Sequence, residues 1–322
     1  MLTDLQYDLG RIASGVAAEW SIYIRYLSTG EEIAIDADRP VETMSVIKVP
    51  LLVTLFRAVE AGQADLDQRI TLKACHKRFG TGVLQTLDDG LVLSLRDAAM
   101  LMIIQSDNTA TDLCFEAIDG PEAVTRTMRE LGLPSIQPQG TAFDWFRALA
   151  ASMDPSLGTL SPGELFRHGY PDLPPRELAA ARETFHFAGQ HPFGLATARE
   201  VGRLLEMLWH AECAGSAACR EMLRILHLQQ FRTRLPKYLF GASVAHKTGD
   251  FDPFIANDVG VIQPADRPPI IACFFSARHR GIWANLEDAI ARMGEKVYDY
   301  ELARNPGVPQ RVDRHTYGGR LP

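Results

Sequence analysis

The chain has 322 residues, 46% of them apolar and 23% charged, with a formal charge of −7. This is the composition of a globular protein long enough to bury a full core or to fill two lobes. The mildly acidic balance, with Lys and Arg scattered along the chain, argues against a nucleic-acid partner. No stretch approaches the ~20 apolar residues of a membrane helix, so no membrane partner is expected. Cysteines 75, 114, 213, 219 and 273 are odd in number and widely spaced, which suggests reduced, mostly buried thiols rather than a disulfide framework or a metal site. The opening Met1-Leu2-Thr3-Asp4 lacks the basic start and apolar run of a secretory signal. A cytoplasmic protein is therefore the expectation, or a periplasmic or secreted one if a signal has been removed.

In chain order, residues 2–13 have the spacing of a short amphipathic helix. Trp20, Ile22, Ile24 and Tyr26 alternate with polar residues as a strand, Ser28-Thr29-Gly30 is a turn, and 31–36 is the returning strand. A helix is predicted from about Ser45 to Glu60, with Pro50 near its first turns, where a missing N–H costs least. Ser94-Leu95-Arg96-Asp97 has the form of a capping box that opens a helix to about Gln105. A second helix begins near Thr109, so Ser106-Asp107-Asn108 falls in the tight link between the two. Residues 121–131 form another helix, stopped by Gly132. The stretch 134–196 is irregular and rich in Pro and Gly, and small helices are expected inside it. Thr197 caps a further helix to about Glu212. Segments 243–247, 257–262 and 270–277 are strands, and 285–301 is a closing helix.

Strands at both ends of the chain bracket a helical middle. The predicted fold class is α/β (α+β), an antiparallel sheet flanked by helices with an inserted all-helical lobe. Residues 1–44 and 213–303 would form the sheet lobe. Residues 45–212 would form the helical lobe, enlarged at about 134–196. Residues 304–322, rich in Pro, Gly and Arg, would be a flexible tail.

Three short motifs carry the chemistry: Ser45-Val46-Ile47-Lys48, Ser106-Asp107-Asn108 and Lys247-Thr248-Gly249. A Ser-x-x-Lys arises about once by chance in a chain this long, and each tripeptide in about one such chain in twenty or fewer. All three in this order are hard to attribute to chance. On a helix, Lys48 lies one turn from Ser45 on the same face. A lysine held as a base by burial or by a nearby cation such as Lys247 would activate the serine hydroxyl. Ser106 could relay a proton, and Ser45 at a helix N-terminus would aim its N–H at a developing oxyanion.

The set resembles that of class A β-lactamases and penicillin-binding proteins over about residues 2–301. Lys247-Thr248-Gly249-Asp250 followed by Ala256-Asn257-Asp258 and an apolar strand is similar to that family's sheet region. The resemblance implies a serine hydrolase in which Ser45 is acylated, Lys48 is the general base and Ser106 passes a proton to the leaving group. Asn108 would bind the acyl-side amide, and Lys247, Thr248 and Gly249 the substrate carboxylate. The N–H groups of Ser45 and Asp250 would form the oxyanion hole, and Asp107 would fix the link backbone. No metal or organic cofactor is implied. The partner is a small-molecule or peptide-like substrate, and the sequence leaves the oligomeric state open.

Two departures stand out. The family's deacylating Glu-x-x-x-Asn pattern is missing, leaving Glu183, Glu164 and Glu177 as available carboxylates, with Glu183 nearest the expected position. The segment from Ser106 to Thr197 is also longer than the family's usual one. Three readings follow: a hydrolase of carboxylate-bearing amides or esters, a true β-lactamase, or a covalent β-lactam binder or sensor with little turnover. The histidines, His186 among them, lack zinc-ligand spacing. Arg232 and Arg234 are expected to make structural pairs near the Lys247 strand, and Phe143, Trp145 and Phe146 to form local core.

Overall fold

The computed structural model describes residues 1–304. The described chain divides into two compact units, one made of residues 1–41, 197–212 and 219–304, the other of 42–196 and 213–218.

The first unit is built on a five-stranded antiparallel sheet. Its strands run, in spatial order, Glu32–Ile35, Glu19–Tyr26, Ile270–Ala277, Ile255–Pro264 and Ala242–Phe251. Pairing is in register, with Ile22 opposite Phe274 and Lys247 opposite Val259. The alternation in Glu19–Tyr26 sends Trp20, Ile22, Ile24 and Tyr26 into a core shared with the helices Leu2–Ser14 and Trp283–Arg304. Each such side chain, fully buried, contributes roughly 1.5–3 kcal/mol. Tyr23 points to the opposite face, beneath the Ala198–Trp209 helix. Gly202 of that helix lies so close that a Cβ there would stand 2.3 Å from the Tyr23 ring. The central strand Ile270–Ala277 is covered on both faces, which is why it is apolar without alternation.

The sequence boundary at residue 212 needs correction. The Ala198–Trp209 helix belongs with the sheet, against which it presses Ala198, Val201, Gly202, Leu204, Leu205 and Leu208. Conversely, residues 213–218 belong with the helical unit. There the Glu60 carboxylate accepts from the Gly215 N–H, and the Cys213 carbonyl accepts from Arg57. Chain order could not reveal either exchange. The closing helix also runs further than predicted, through Arg304, whose guanidinium pairs with Glu31 and faces the Tyr26 and Tyr300 rings. The remainder of the predicted tail, 305–322, lies outside the described residues.

The second unit is helical around the Lys48–Glu60 helix, whose residues Lys48–Phe56 are all buried. That explains its nearly unbroken apolar sequence. Around it stand Leu95–Ile104, Asn108–Glu116 and Pro121–Glu130. Ser94 and Asp97 form the predicted reciprocal cap. The 134–196 stretch does contain helices, at Ala142–Met153, Pro162–His168 and Pro175–Ala188. Trp145 is buried among them, with Phe146 and Phe185 edge-on to its ring. The α-helix of the first motif begins at Lys48, one turn later than predicted, because Met44–Ile47 is a 3-10 turn. Pro50 lacks the N–H that would close an α-turn onto the Val46 carbonyl, so the preceding turn tightens instead.

Candidate active site

In the helical unit, Ser45 and Lys48 come from the 3-10 turn and the first residue of the buried helix. Ser45 is half-buried, and Lys48 is fully buried. Met44, immediately before the serine, has φ +45°, a left-handed conformation that costs a side-chain-bearing residue free energy. A second strained residue stands at Ser106, with φ +53°. That geometry turns both the carbonyl and the hydroxyl of Ser106 to one neighbour, the Lys48 ammonium. Lys48 Nζ donates to the Ser106 carbonyl (2.7 Å), to Asn108 Oδ1 (2.8 Å) and to Ser106 Oγ (3.2 Å). Three acceptors match the three N–H bonds of an ammonium. A lysine that acts as base must surrender one of them, and only the Ser106 hydroxyl can turn round to donate in return.

Asp107 holds the turn that makes this possible. Its Oδ1 caps the Asn108–Glu116 helix by accepting from the Ala110 N–H (2.9 Å), and its Oδ2 accepts from the Leu84 N–H (2.8 Å). No local pattern in the sequence pointed to the loop on which Leu84 sits, at residues 79–84. Thr81 Oγ1 donates to the Ser106 carbonyl (2.8 Å), and the Asn108 N–H donates to the Thr81 carbonyl (3.0 Å). Asn108 Nδ2 donates to the Phe79 carbonyl (2.9 Å), which orients its amide. Gly82 is required where it stands: its φ is +112°, and a Cβ would fall 2.4 Å from the Asp107 Cα.

The structure places Glu183 on the Pro175–Ala188 helix, half-buried. The carboxylate next to the serine turn is a different one, the half-buried Glu42, three residues before Ser45. Burial pushes its carboxyl up to about 7. It accepts from the Phe193 N–H (3.3 Å), and His186 Nδ1 lies 4.0 Å away. The next residue, Thr43, donates its N–H to the Gly194 carbonyl, tying this turn to the strand Gly194–Ala196. Sequence reading missed Glu42 because a single Glu before an apolar run reads as surface.

In the sheet unit, Lys247, Thr248 and Gly249 occupy the long strand Ala242–Phe251. Lys247 is fully buried, and burial brings its amine down to about 7. Its Nζ donates to the Thr248 carbonyl (2.9 Å). Thr248 Oγ1 is buried and finds no partner among the described residues. His246 Nδ1 lies 2.9 Å from Asp258 Oδ1, while Asp258 Oδ2 accepts from the Leu235 N–H (3.0 Å). Arg234 is indeed a structural pair, and a crowded one. It bonds Glu287 and the Asn257 carbonyl, and its guanidinium also meets the Asp250 carboxylate. Among the described residues no group of His, Cys, Asp or Glu could hold a metal ion.

A serine beside a buried lysine, with a second serine in contact with that lysine, is the equipment of the hydrolases that activate their nucleophile by lysine rather than histidine. This chain belongs to the β-lactamase enzyme family, whose model matches residues 4–301. It is 26% identical over 283 residues to a β-lactamase of Streptomyces lavendulae, covering 86% of this chain and 80% of that one. It is 27% identical over 279 residues to the β-lactamase regulatory protein BlaB of Streptomyces cacaoi, covering 76% and 80%. Among solved structures, a β-lactamase from Sphaerobacter thermophilus superposes with a TM-score of 0.72 at 26% identity, covering 95% of this chain and 98% of the other. The protein is a serine hydrolase of the β-lactamase class.

Proposed function

We propose that this hydrolase takes an acyl group from an amide, ester or β-lactam onto Ser45 and then passes it to water. The observation that carries the assignment is the Lys48 hub, with its three donors on the Ser106 carbonyl, the Ser106 hydroxyl and Asn108. In the acylation step Ser45 Oγ bonds the substrate carbonyl carbon, and the carbon–nitrogen or carbon–oxygen bond to the leaving group breaks. Lys48 receives the serine proton, and Ser106 returns a proton to the leaving atom. Asn108 Nδ2 has two N–H bonds and spends one on Phe79, so the other serves an acyl-side carbonyl. The Ser45 and Asp250 N–H groups act as the oxyanion donors. Water then attacks the Ser45 ester and releases the acid. Glu42 is a stronger candidate than Glu183 for the base of that step, because it lies three residues from Ser45 in the serine turn and is poised near neutrality.

A second reading has support of its own: one relative is named as a regulatory protein. A protein that is acylated and turns over slowly would suit such a role. Intact-protein mass spectrometry after addition of a penicillin separates the two. An adduct that forms and decays as drug is consumed supports the hydrolase, and one that persists supports the sensor. Ser45→Ala should carry no adduct, and labelling that survives it refutes the assignment of Ser45.

A further inference from the structure

We propose that Thr81 is a positioning residue for acyl transfer: its hydroxyl shares the Ser106 carbonyl with Lys48 and so eases the lysine into its role as base. The proposal rests on the Ser45 acyl-transfer reading and deepens it. Every residue it uses lies within the helical unit.

The Ser106 carbonyl receives two donors at nearly equal range, Lys48 Nζ at 2.7 Å and Thr81 Oγ1 at 2.8 Å. The bond to this carbonyl is the shortest of the three that Nζ makes to Ser106 and Asn108. A bond from an ammonium is charge-assisted, and it favours the protonated lysine. The threonine proton carries partial positive charge onto the same oxygen, which opposes the ammonium there. The threonine thus weakens the bond that most favours a charged Lys48. It also acts once the ammonium has lost its proton. A neutral amine keeps two N–H bonds and a lone pair. Turning that lone pair toward the Ser45 hydroxyl leaves two N–H bonds for three acceptors. Ser106 is buried, where taking a donor from a carbonyl is costly. With Thr81 in place, the carbonyl keeps a donor when the lysine turns away.

Thr81 is placed for this by bonds that do not involve its hydroxyl. Its carbonyl accepts from the Asn108 N–H (3.0 Å), and Gln85 Nε2 donates to the Gly80 and Gly82 carbonyls on either side of it. Removal of the hydroxyl therefore leaves the loop anchored. Thr81 is also exposed, so its substitution opens no cavity in the core. The other titratable groups near Lys48 have separate engagements. On the Asn108–Glu116 helix and its cap, Asp107 is bonded to the Ala110 and Leu84 N–H groups, and Asp112 is paired with Arg78. Burial pushes the Cys114 thiol up, so it stays neutral beside the lysine. The helices Leu95–Ile104 and Pro121–Glu130 bury only apolar side chains and Thr127, and their charged residues are exposed. Ahead of the serine turn stands Glu42, poised at about 7, and Glu42→Gln removes its titration from the measurement.

The test reads the lysine directly. Protein labelled with carbon-13 at lysine Cε is titrated by NMR, and the Lys48 signal is the one that Lys48→Met removes. Wild type, Thr81→Val and Thr81→Ser are compared, each also with Glu42→Gln. Valine keeps the branched shape and fills the place of the hydroxyl, so water cannot stand in for it, and serine restores the donor. Thr81→Val should move the Lys48 midpoint up by about one pH unit, equivalent to about 1.4 kcal/mol, and Thr81→Ser should return it to the wild-type value. The rate of Ser45 acylation by benzylpenicillin, followed as intact mass against time, should show the same pattern. Below its acid limb the valine variant should react about tenfold more slowly than the wild type, and the two rates should converge as pH rises. A valine variant slowed equally at every pH, with the Lys48 midpoint unmoved, has lost structure alone and would overturn the inference. Failure of benzylpenicillin to label wild-type Ser45 would instead overturn the acyl-transfer reading, while the NMR midpoint still decides whether Thr81 acts on Lys48.

Discussion

Gly82→Ala tests whether the loop at 79–84 is what holds the second motif in shape. An alanine at φ +112° costs roughly 1–3 kcal/mol in backbone strain alone. Its Cβ would also stand 2.4 Å from the Asp107 Cα and 2.2 Å from Cγ, and no side-chain rotation relieves a clash with backbone. The loop must retreat. In doing so it loosens the Leu84 N–H bond to the Asp107 carboxylate, worth about 1.5–3 kcal/mol as a charge-assisted bond, and the Asn108 N–H bond to Thr81, worth about 1 kcal/mol. The total is on the order of 4 kcal/mol, or roughly a 10 °C fall in Tm for a chain of this size. Ser106 and Asn108 would move with Asp107, and a shift of about 1 Å can cost ~100-fold in the acylation rate. Gly62→Ala is the control: its φ is +70°, but a Cβ there meets nothing within 4 Å, so strain acts without a clash. Differential scanning calorimetry and Ser45 acylation rates give both readouts. If the two variants lose equal stability and Gly82→Ala is acylated at the wild-type rate, the loop does not support the motif and the reasoning fails.

Three further outcomes are expected. Glu42 has its folded-state pKa raised to about 7, so the folded state holds a proton that the unfolded chain has released by then. Stability should therefore fall as pH rises from about 4.5 to 7, by up to about 3 kcal/mol, and Glu42→Gln should flatten that part of a chemical-denaturation profile. Lys247 has the opposite linkage. Its folded-state pKa, brought down to about 7, means the unfolded chain binds more protons above that pH, so stability should rise between about pH 7 and 10.5. Lys247→Met should abolish that rise while slowing acylation, and a variant with an unaltered profile would show that the lysine is solvated. Arg78→Met should be strongly destabilising, by about 3–5 kcal/mol in urea unfolding. It strands the buried Asp112, which also accepts from the Ala142 and Phe143 N–H groups at the start of the Ala142–Met153 helix. A loss below about 1 kcal/mol would mean that Asp112 is neutral in the folded protein.

Local rules carried much of the way from sequence to site. Period-2 alternation in residues 20–26, the capping box at Ser94 and the one-turn spacing of Ser45 and Lys48 depend on neighbours a few residues apart, and the described structure shows each of them. The three motifs were visible for the same reason, because each is contiguous in the chain. Partnerships between distant segments were not. No spacing rule could bring the Phe79 and Thr81 carbonyls to Asn108, the Glu42 carboxylate to His186, or the Asp250 carboxylate to Arg234. Nor could chain order show that residues 198–209 pack on the sheet, since their apolar face suits either lobe. The sequence by itself determined which candidate nucleophile and which lysines the protein carries, and that they stand one turn apart or on a strand. Tertiary structure alone decided how those groups are charged and what they are bonded to, because desolvation and ion pairing depend on atoms brought together from far along the chain.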